Sequence, residues 1–169
     1  MKTILLFTLI LLSLSSFSQD KYYDIFTVVD GMITYSNVIP VDSAKKDVLY
    51  ARAKKWFANN YRSSKDVIQL DDNINGEIIG KGTFTIQFFT RSPFIDHTIA
   101  VSVKDGKYKY TINHFIFEGA DANNRRQPIE SFPNNWAGKK KFYTRIDEEV
   151  KLTIASLQKA MTTNEKADW

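Results

Sequence analysis

A β-hairpin signal in the second half of the chain constrains the fold more than any other sequence feature. Residues 97–104 and 107–117 are rich in β-branched and aromatic side chains, and Asp105-Gly106 joins them. A two-residue Asp-Gly turn between alternating segments is typical of a hairpin and fixes the pairing of both strands. The predicted inner face is apolar and consists of Ile99, Val101, Val103, Tyr108, Tyr110 and Ile112. The predicted outer face consists of Thr98, Ala100, Ser102, Lys104, Lys107, Lys109, Thr111 and Asn113. We therefore expect an antiparallel sheet that is covered on one face.

Three more segments have the composition of β-strands. Residues 24–41 contain a second Asp-Gly turn at Asp30-Gly31, and a short strand at 67–70 precedes a long one at 77–89. Glycines within a strand, as in Gly80-Lys81-Gly82, mark a bulge or leave room for a residue of a covering helix. This glycine pair lacks the further glycines and the following helix of a phosphate-binding loop, so we do not expect phosphate binding there.

Two segments carry apolar residues at helical spacing. The first helix is predicted over residues 43–61, with Asp42-Ser43 as its N-terminal cap, and the second over residues 145–162. The acidic residues at 147–149 suit the positive N-terminal end of the second helix. The predicted order is β(β)–α–β–β–β–β–α. This order indicates an α+β fold in which two helices cover one face of a single antiparallel sheet.

The first 18 residues have the three parts of a secretory signal peptide. Lys2 supplies the positive charge, residues 4–12 are almost entirely apolar, and Ser16 and Ser18 suit the positions before a cleavage site. The apolar run is too short for a membrane span, which needs about 20 residues. We expect cleavage after Ser18, a single α+β domain at residues 19–169, and a periplasmic or secreted product.

Composition limits the partners and cofactors of the exported chain. The sequence has no Cys, which excludes disulfide bonds and acylation at a lipobox-type cysteine. Without residues 1–18 the chain has 22 basic and 19 acidic side chains, a net charge of +3. A nucleic-acid-binding domain is normally more basic, with its charge clustered on one surface. We therefore expect a monomer that binds no nucleic acid and has no transmembrane segment after cleavage.

Four segments resemble a known protein family. They read ITYSNVI at residues 33–39, LYARAKKWF at 49–57, GEIIGKG at 76–82 and VKDGKYKY at 103–110. Together they are similar to an exported family of unknown function, common in Bacteroidota-type bacteria, with a TATA-box-binding-protein-like (TBP-like) fold. The resemblance covers about residues 28–118, and we expect it to include the last helix. The resemblance implies this fold. It implies no catalytic residue, because the family has no established activity. A shared fold also does not imply DNA binding.

His97 and His114 are the candidates for a metal site. They are the only histidines in the chain, and the hairpin register predicts that they face each other on one face of the sheet. Two imidazoles so placed suit Zn²⁺ or Cu²⁺, and without Cys the remaining ligands would be carboxylates. A small metal-dependent hydrolase that uses both histidines is therefore the alternative function. We favour two histidines at the end of a sheet without a ligand, and expect no cofactor.

The long segment at residues 119–143 is the other candidate site. Its basic and aromatic residues include Arg125, Arg126, Trp136, Lys139 and Lys140. A loop of this length is uncommon in a compact domain and is often functional. One interpretation is a loop that binds an envelope protein or an acidic glycan; the other is a strap across the sheet whose Trp136 fills the edge of the core. The predicted function is an exported, non-catalytic binding or structural domain of the cell envelope.

Overall fold

Two helices and a six-stranded antiparallel sheet make up most of the part of the chain that the structure describes. The computed structural model describes residues 23–61, 67–119, 126–133 and 136–163. The helices are α1 (Lys46–Asn60) and α2 (Lys139–Thr162), and short 3₁₀ turns lie at Tyr23–Ile25 and Ile129–Ser131. The strands are β1 (Val28–Val29), β2 (Met32–Ile33), β3 (Tyr35–Pro40), β4 (Ile68–Asp72), β5 (Glu77–Thr85), β6 (Phe94–Lys104), β7 (Lys107–Glu118) and β8 (Arg126–Pro128). β1 and β2 form a separate ribbon, and the sheet has the order β3-β7-β6-β5-β4, with β8 also paired to β7. The predicted α+β class is confirmed; β8 was not predicted.

The central hairpin has the predicted register over most of its length. Lys104 lies opposite Lys107, and the pairing continues without a shift to Thr98 opposite Asn113. All the residues of the predicted inner face from Ile99 to Ile112 are buried. The turn at Asp30-Gly31 also has the expected form, because both residues have a positive φ, as a type I′ turn requires.

The N-terminus of α1 is capped by a residue that is distant in sequence. The helix begins at Lys46 and not at residue 43, so the predicted local cap at Asp42-Ser43 is wrong. The Lys46 amide instead donates a hydrogen bond of 2.7 Å to Oδ1 of Asp105, in the turn between β6 and β7. This bond satisfies one of the unpaired amides of the first helical turn and joins α1 to the sheet.

The second helix begins earlier than predicted, at residue 139 and not at 145. Its first turn contains lysines at positions 139–141, which are electrostatically unfavourable at the positive end of a helix. Phe142 and Tyr143 are both buried and extend the apolar stripe of α2 toward its N-terminus. Their burial outweighs the cost of the lysines. Asp147 is therefore not near the N-terminus; it lies inside the helix, where its Oδ1 accepts a 2.9 Å hydrogen bond from the Tyr35 hydroxyl.

Two glycines in β5 let α1 approach the inner face of the sheet. The helix packs across β5, β6 and β7 and against α2. A Cβ atom added at Gly80 would lie 2.6 Å from the Phe57 ring, and one added at Gly82 would overlap Tyr61 and His97. Real Cβ atoms do not come this close to other atoms. The two glycines therefore leave the room for a covering helix that the sequence predicted.

The edge strand β3 is partly protected against pairing with another strand. The Val38 amide donates a 2.8 Å hydrogen bond to the side chain of Asn37, and Pro40 has no amide hydrogen. Sheet edges with few available hydrogen-bond donors are a common defence against aggregation.

Neither α1 nor α2, the two long helices of the described residues, is both long enough and apolar enough to cross a membrane.

Candidate functional site

His97 and His114 do not face each other, so the predicted pair is wrong. Beyond Thr98 the register of β6 and β7 shifts by one residue, and His114 and Phe115 both lie opposite the single residue His97. Such an extra residue is a β-bulge. His114 has a left-handed backbone with a φ of 54°. Its side chain is exposed, with Nδ1 2.8 Å from Oδ1 of Asn113, and Phe115 takes the inner position next to His97.

His97 is a core residue surrounded by aromatic side chains. It is 3% exposed. The ring centres of Phe84 and Phe115 lie 5.2 and 6.2 Å from that of the imidazole. The Tyr61 hydroxyl lies 3.3 Å from Nε2. Burial lowers the pKa of His97 to about 4 and raises that of Tyr61. At neutral pH the imidazole is therefore uncharged, and it packs among aromatic side chains in the core.

The residues that the structure describes do not assemble a metal centre. Among them, no three side chains of His, Asp or Glu lie close enough to share one ion. A catalytic zinc needs three protein ligands and an open position for water. With one histidine buried and the other on the surface, the geometry does not support a hydrolase that uses His97 and His114.

Arg126 joins β8 to its sheet neighbours β7 and β6 through ion pairs. Its guanidinium lies 2.5 Å from the Asp96 carboxylate and 3.1 Å from that of Glu118. Arg126 therefore makes two ion pairs within the domain itself. Arg125, predicted together with it, lies outside the described residues.

Trp136 packs into an aromatic cluster at one end of the domain. Its ring centre lies between 5.6 and 5.9 Å from those of Phe88, Phe132 and Phe142. Lys139 is 2% exposed, and its Nζ lies 5.7 Å from the centre of the Tyr143 ring. Both contacts support the interpretation of this segment as a strap. Because Lys139 is buried, its ammonium group adds no exposed positive charge to the surface.

An open depression with a basic rim lies at the N-terminal end of α2. It has a volume of about 600 Å³, and Trp136, Lys140, Lys141 and Arg145 are among the residues that line it. We call it the basic depression. Glu148 is the one acidic residue among the described lining residues and pairs with Arg145 at 2.7 Å. Because the N-terminal end of a helix adds a partial positive charge, this surface suits an anion.

A strained aromatic turn beside the basic depression was missed by the sequence analysis. Phe88 and Arg91 exchange two backbone hydrogen bonds and close a tight turn beyond β5. Phe89, in the turn, has a φ of 52°, a conformation that glycine adopts easily and phenylalanine rarely. Its side chain is 61% exposed. The sequence predicts a strand over residues 77–89, past the end of β5 at Thr85, because no Gly, Asn or Asp marks the turn.

Known proteins support this fold and place the chain in a family. Residues 35–118 match the family described as a domain of unknown function (DUF4468) with TBP-like fold. The structure is similar to a crystal structure of a TBP-like protein from Parabacteroides distasonis ATCC 8503. That likeness has a TM-score of 0.74 at 14% identity, over 83% of this chain and 99% of the other.

A second solved structure has the same architecture. It is a DUF4468 family protein from Bacteroides ovatus ATCC 8483, with a TM-score of 0.69 at 16% identity, over 84% of this chain and 93% of the other. No curated protein matches the sequence. At identities this low the two structures show the fold alone, and the family match agrees with the resemblance seen in the sequence. The chain belongs to the DUF4468 family of domains with a TBP-like fold.

Proposed function

We propose that this chain is an exported binding domain of the cell envelope, without catalytic activity of its own, and that its ligand is anionic. The observation that carries the proposal is the basic depression, where the exposed Lys140 and Lys141 lie beside Trp136. Of the five binding residues predicted from the sequence, Trp136 and Lys140 are the two that support it. Arg126 and Lys139 serve contacts within the domain instead.

Charge at the basic depression is concentrated enough to attract an anion. Two exposed lysines, Lys140 and Lys141, lie in the first turn of α2, and the structure places no acidic residue in that turn. Glu148 offsets Arg145 but not the lysines. A cluster of like charges raises the local concentration of counter-ions and of anionic ligands. Because this attraction is screened within about 8 Å at physiological ionic strength, binding should weaken strongly as salt is added.

Reversal of two exposed charges tests the proposal. We expect the double variant Lys140→Glu/Lys141→Glu to bind a soluble acidic polysaccharide, such as polygalacturonate, at least about tenfold more weakly than the unchanged protein does. The matched control is Lys107→Glu/Lys109→Glu, which changes the net charge equally on the outer face of the sheet, where both lysines are exposed. Titration calorimetry at low and high salt measures both, with dextran as the neutral polysaccharide.

Equal losses in the two double variants would contradict the basic depression as the site, because net charge alone would then explain the binding. An acidic surface on an envelope protein has the same chemistry as an acidic glycan. A pull-down from envelope extract with the same variants separates these two sources, since glycosidase treatment of the extract removes a glycan and leaves a protein.

Export is tested by the N-terminus of the mature protein. If the signal peptide is removed as proposed, expression of the full-length gene with a C-terminal tag should give a periplasmic or secreted product that begins at Gln19. N-terminal sequencing or intact mass measures this. An unprocessed product that begins at Met1 and stays in the cytoplasm would contradict the proposal. Ser16→Tyr/Ser18→Tyr should block processing, because the cleavage site requires small residues.

A further inference from the structure

An apolar ring is held in solvent at the turn beyond β5. Phe89 is more than half exposed although its neighbour Phe88 packs into the aromatic cluster with Trp136 and Phe142. Its positive φ is unfavourable for a residue with a Cβ atom, and strained backbone of this kind often occurs at functional sites. The structure therefore keeps a large apolar side chain in an unfavourable conformation without burying it.

The turn is fixed to the basic depression by direct contacts. The Nζ of Lys141 lies 5.0 Å from the centre of the Phe89 ring. Gly138, which precedes α2, packs so closely that a Cβ atom added there would lie 3.1 Å from the Phe89 ring. The exposed ring and the exposed lysines at 140 and 141 consequently belong to one surface, with the exposed Arg91 in the same turn.

We propose that this surface docks on an anionic lipid bilayer, with Phe89 entering the interfacial region and Lys140 and Lys141 contacting lipid phosphates. The inference rests on the proposed function and names its ligand. Basic side chains near an anionic membrane each contribute to adsorption, and aromatic side chains favour the boundary between headgroups and acyl chains. A soluble polyanion would use the lysines but would give no reason for an exposed phenyl ring.

Phe89→Gly separates a binding role from a structural one. Glycine is favoured at a φ of 52°, so this variant should unfold at the same or a higher denaturant concentration than the unchanged protein. Its affinity for vesicles of equal parts phosphatidylglycerol and phosphatidylcholine should nevertheless fall about tenfold, because the ring that enters the interface is gone. Phe89→Trp should keep the affinity, since Trp also prefers the interface.

Vesicle flotation with the processed, exported protein gives the comparison, because the apolar residues 4–12 would bind lipid by themselves. Ile74→Ala is the matched control, since Ile74 is 87% exposed in the turn between β4 and β5, at the opposite end of β5 from Phe89. We expect Ile74→Ala to bind as the unchanged protein does, and Lys140→Glu/Lys141→Glu to lose binding. Vesicles of phosphatidylcholine alone should bind weakly in every case.

Several outcomes would overturn the inference. If Phe89→Gly binds anionic vesicles as tightly as the unchanged protein, the ring does not enter the bilayer. If the protein binds polygalacturonate but not anionic vesicles, the ligand is a soluble polyanion, and the proposed function stands without the lipid. If it binds neither, the proposed function fails as well. An equal loss for Ile74→Ala would show non-specific adsorption and would likewise overturn the inference.

Discussion

Replacing Phe57 by alanine is expected to lower the free energy of unfolding by about 3–5 kcal/mol. Phe57 is fully buried on the inner side of α1, and its ring contacts both the neighbouring Trp56 ring and the backbone of β5 at Gly80. Small domains have a total stability of about 5–15 kcal/mol, so this loss is a large part of the total. Urea denaturation followed by tryptophan fluorescence measures it.

The control for Phe57→Ala lies on the same helix. Val48 is 45% exposed on the outer side of α1, and Val48→Ala should change the free energy of unfolding by less than about 0.5 kcal/mol. A loss of under about 1 kcal/mol for Phe57→Ala would contradict the packing of α1 against β5.

The contact with Gly80 gives a stricter test of the same packing. In the unchanged protein, Gly80→Ala should cost about 1–3 kcal/mol because the added methyl group overlaps the Phe57 ring. In the Phe57→Ala background the ring is gone and the same substitution should cost far less. This coupling between the two positions is what a double-mutant cycle detects, and additive losses would show that the residues do not touch.

Acidification should destabilise the protein through His97. Burial lowers its pKa in the folded protein to about 4 from the ordinary value of 6.5. Between these two pH values the unfolded chain takes up a proton that the folded protein excludes. The free energy of unfolding therefore has the full contribution of neutral His97 above pH 6.5 and loses it as the pH falls toward 4. The loss approaches about 3 kcal/mol at pH 4, an order-of-magnitude value.

Two histidine variants isolate this effect. Between pH 6.5 and 5, where most carboxylates keep their charge, His97→Leu should remove most of the pH dependence of the denaturation midpoint. His114→Gln, at the exposed histidine of the same sheet, is the matched control. An unchanged slope in His97→Leu would mean that His97 is reached by protons in the folded protein and is not enclosed by its aromatic neighbours.

Local sequence rules predicted the elements whose causes are local. A two-residue turn sets the register of a hairpin, so the pairing from Lys104–Lys107 to Thr98–Asn113 could be read in advance. The apolar stripe of α1 and the glycines beneath it follow from helical and strand periodicity in the same way. The α+β class follows from the order of these elements, and their chain positions are correct to within a few residues for all but α2.

The bulge at His114 was missed although a signal for it existed. With an uninterrupted register, Phe115 and Phe117 would both point to the polar outer face, which is improbable for two large aromatic side chains. One extra residue turns both toward the core, where Phe115 is fully buried and Phe117 packs against Phe132 and Phe142. The metal hypothesis depended on the uninterrupted register and is lost with it.

The candidate site was only partly predictable because its geometry depends on tertiary contacts. Residues 139–141 were assigned to a loop, and only the burial of Phe142 and Tyr143 against the sheet makes them the first turn of α2. The distant cap by Asp105 and the ion pairs of Arg126 likewise join segments far apart in sequence. The turn at Phe89 was the hardest feature to predict. Its position with a positive φ is normally occupied by Gly, Asn or Asp, and here it is occupied by Phe.

The bulge also affects how this chain is aligned with other members of its family. Beyond His114, a relative with a regular strand has one residue fewer before the end of β7. An alignment without a gap would therefore match inward positions of one protein with outward positions of the other. Phe115 and Phe117 would then be aligned with solvent-facing residues of the relative, and core positions that the two proteins share would look different. A one-residue gap at position 114 would mark any relative whose strand is regular, and in relatives that share the bulge the aromatic enclosure of His97 is the feature to compare.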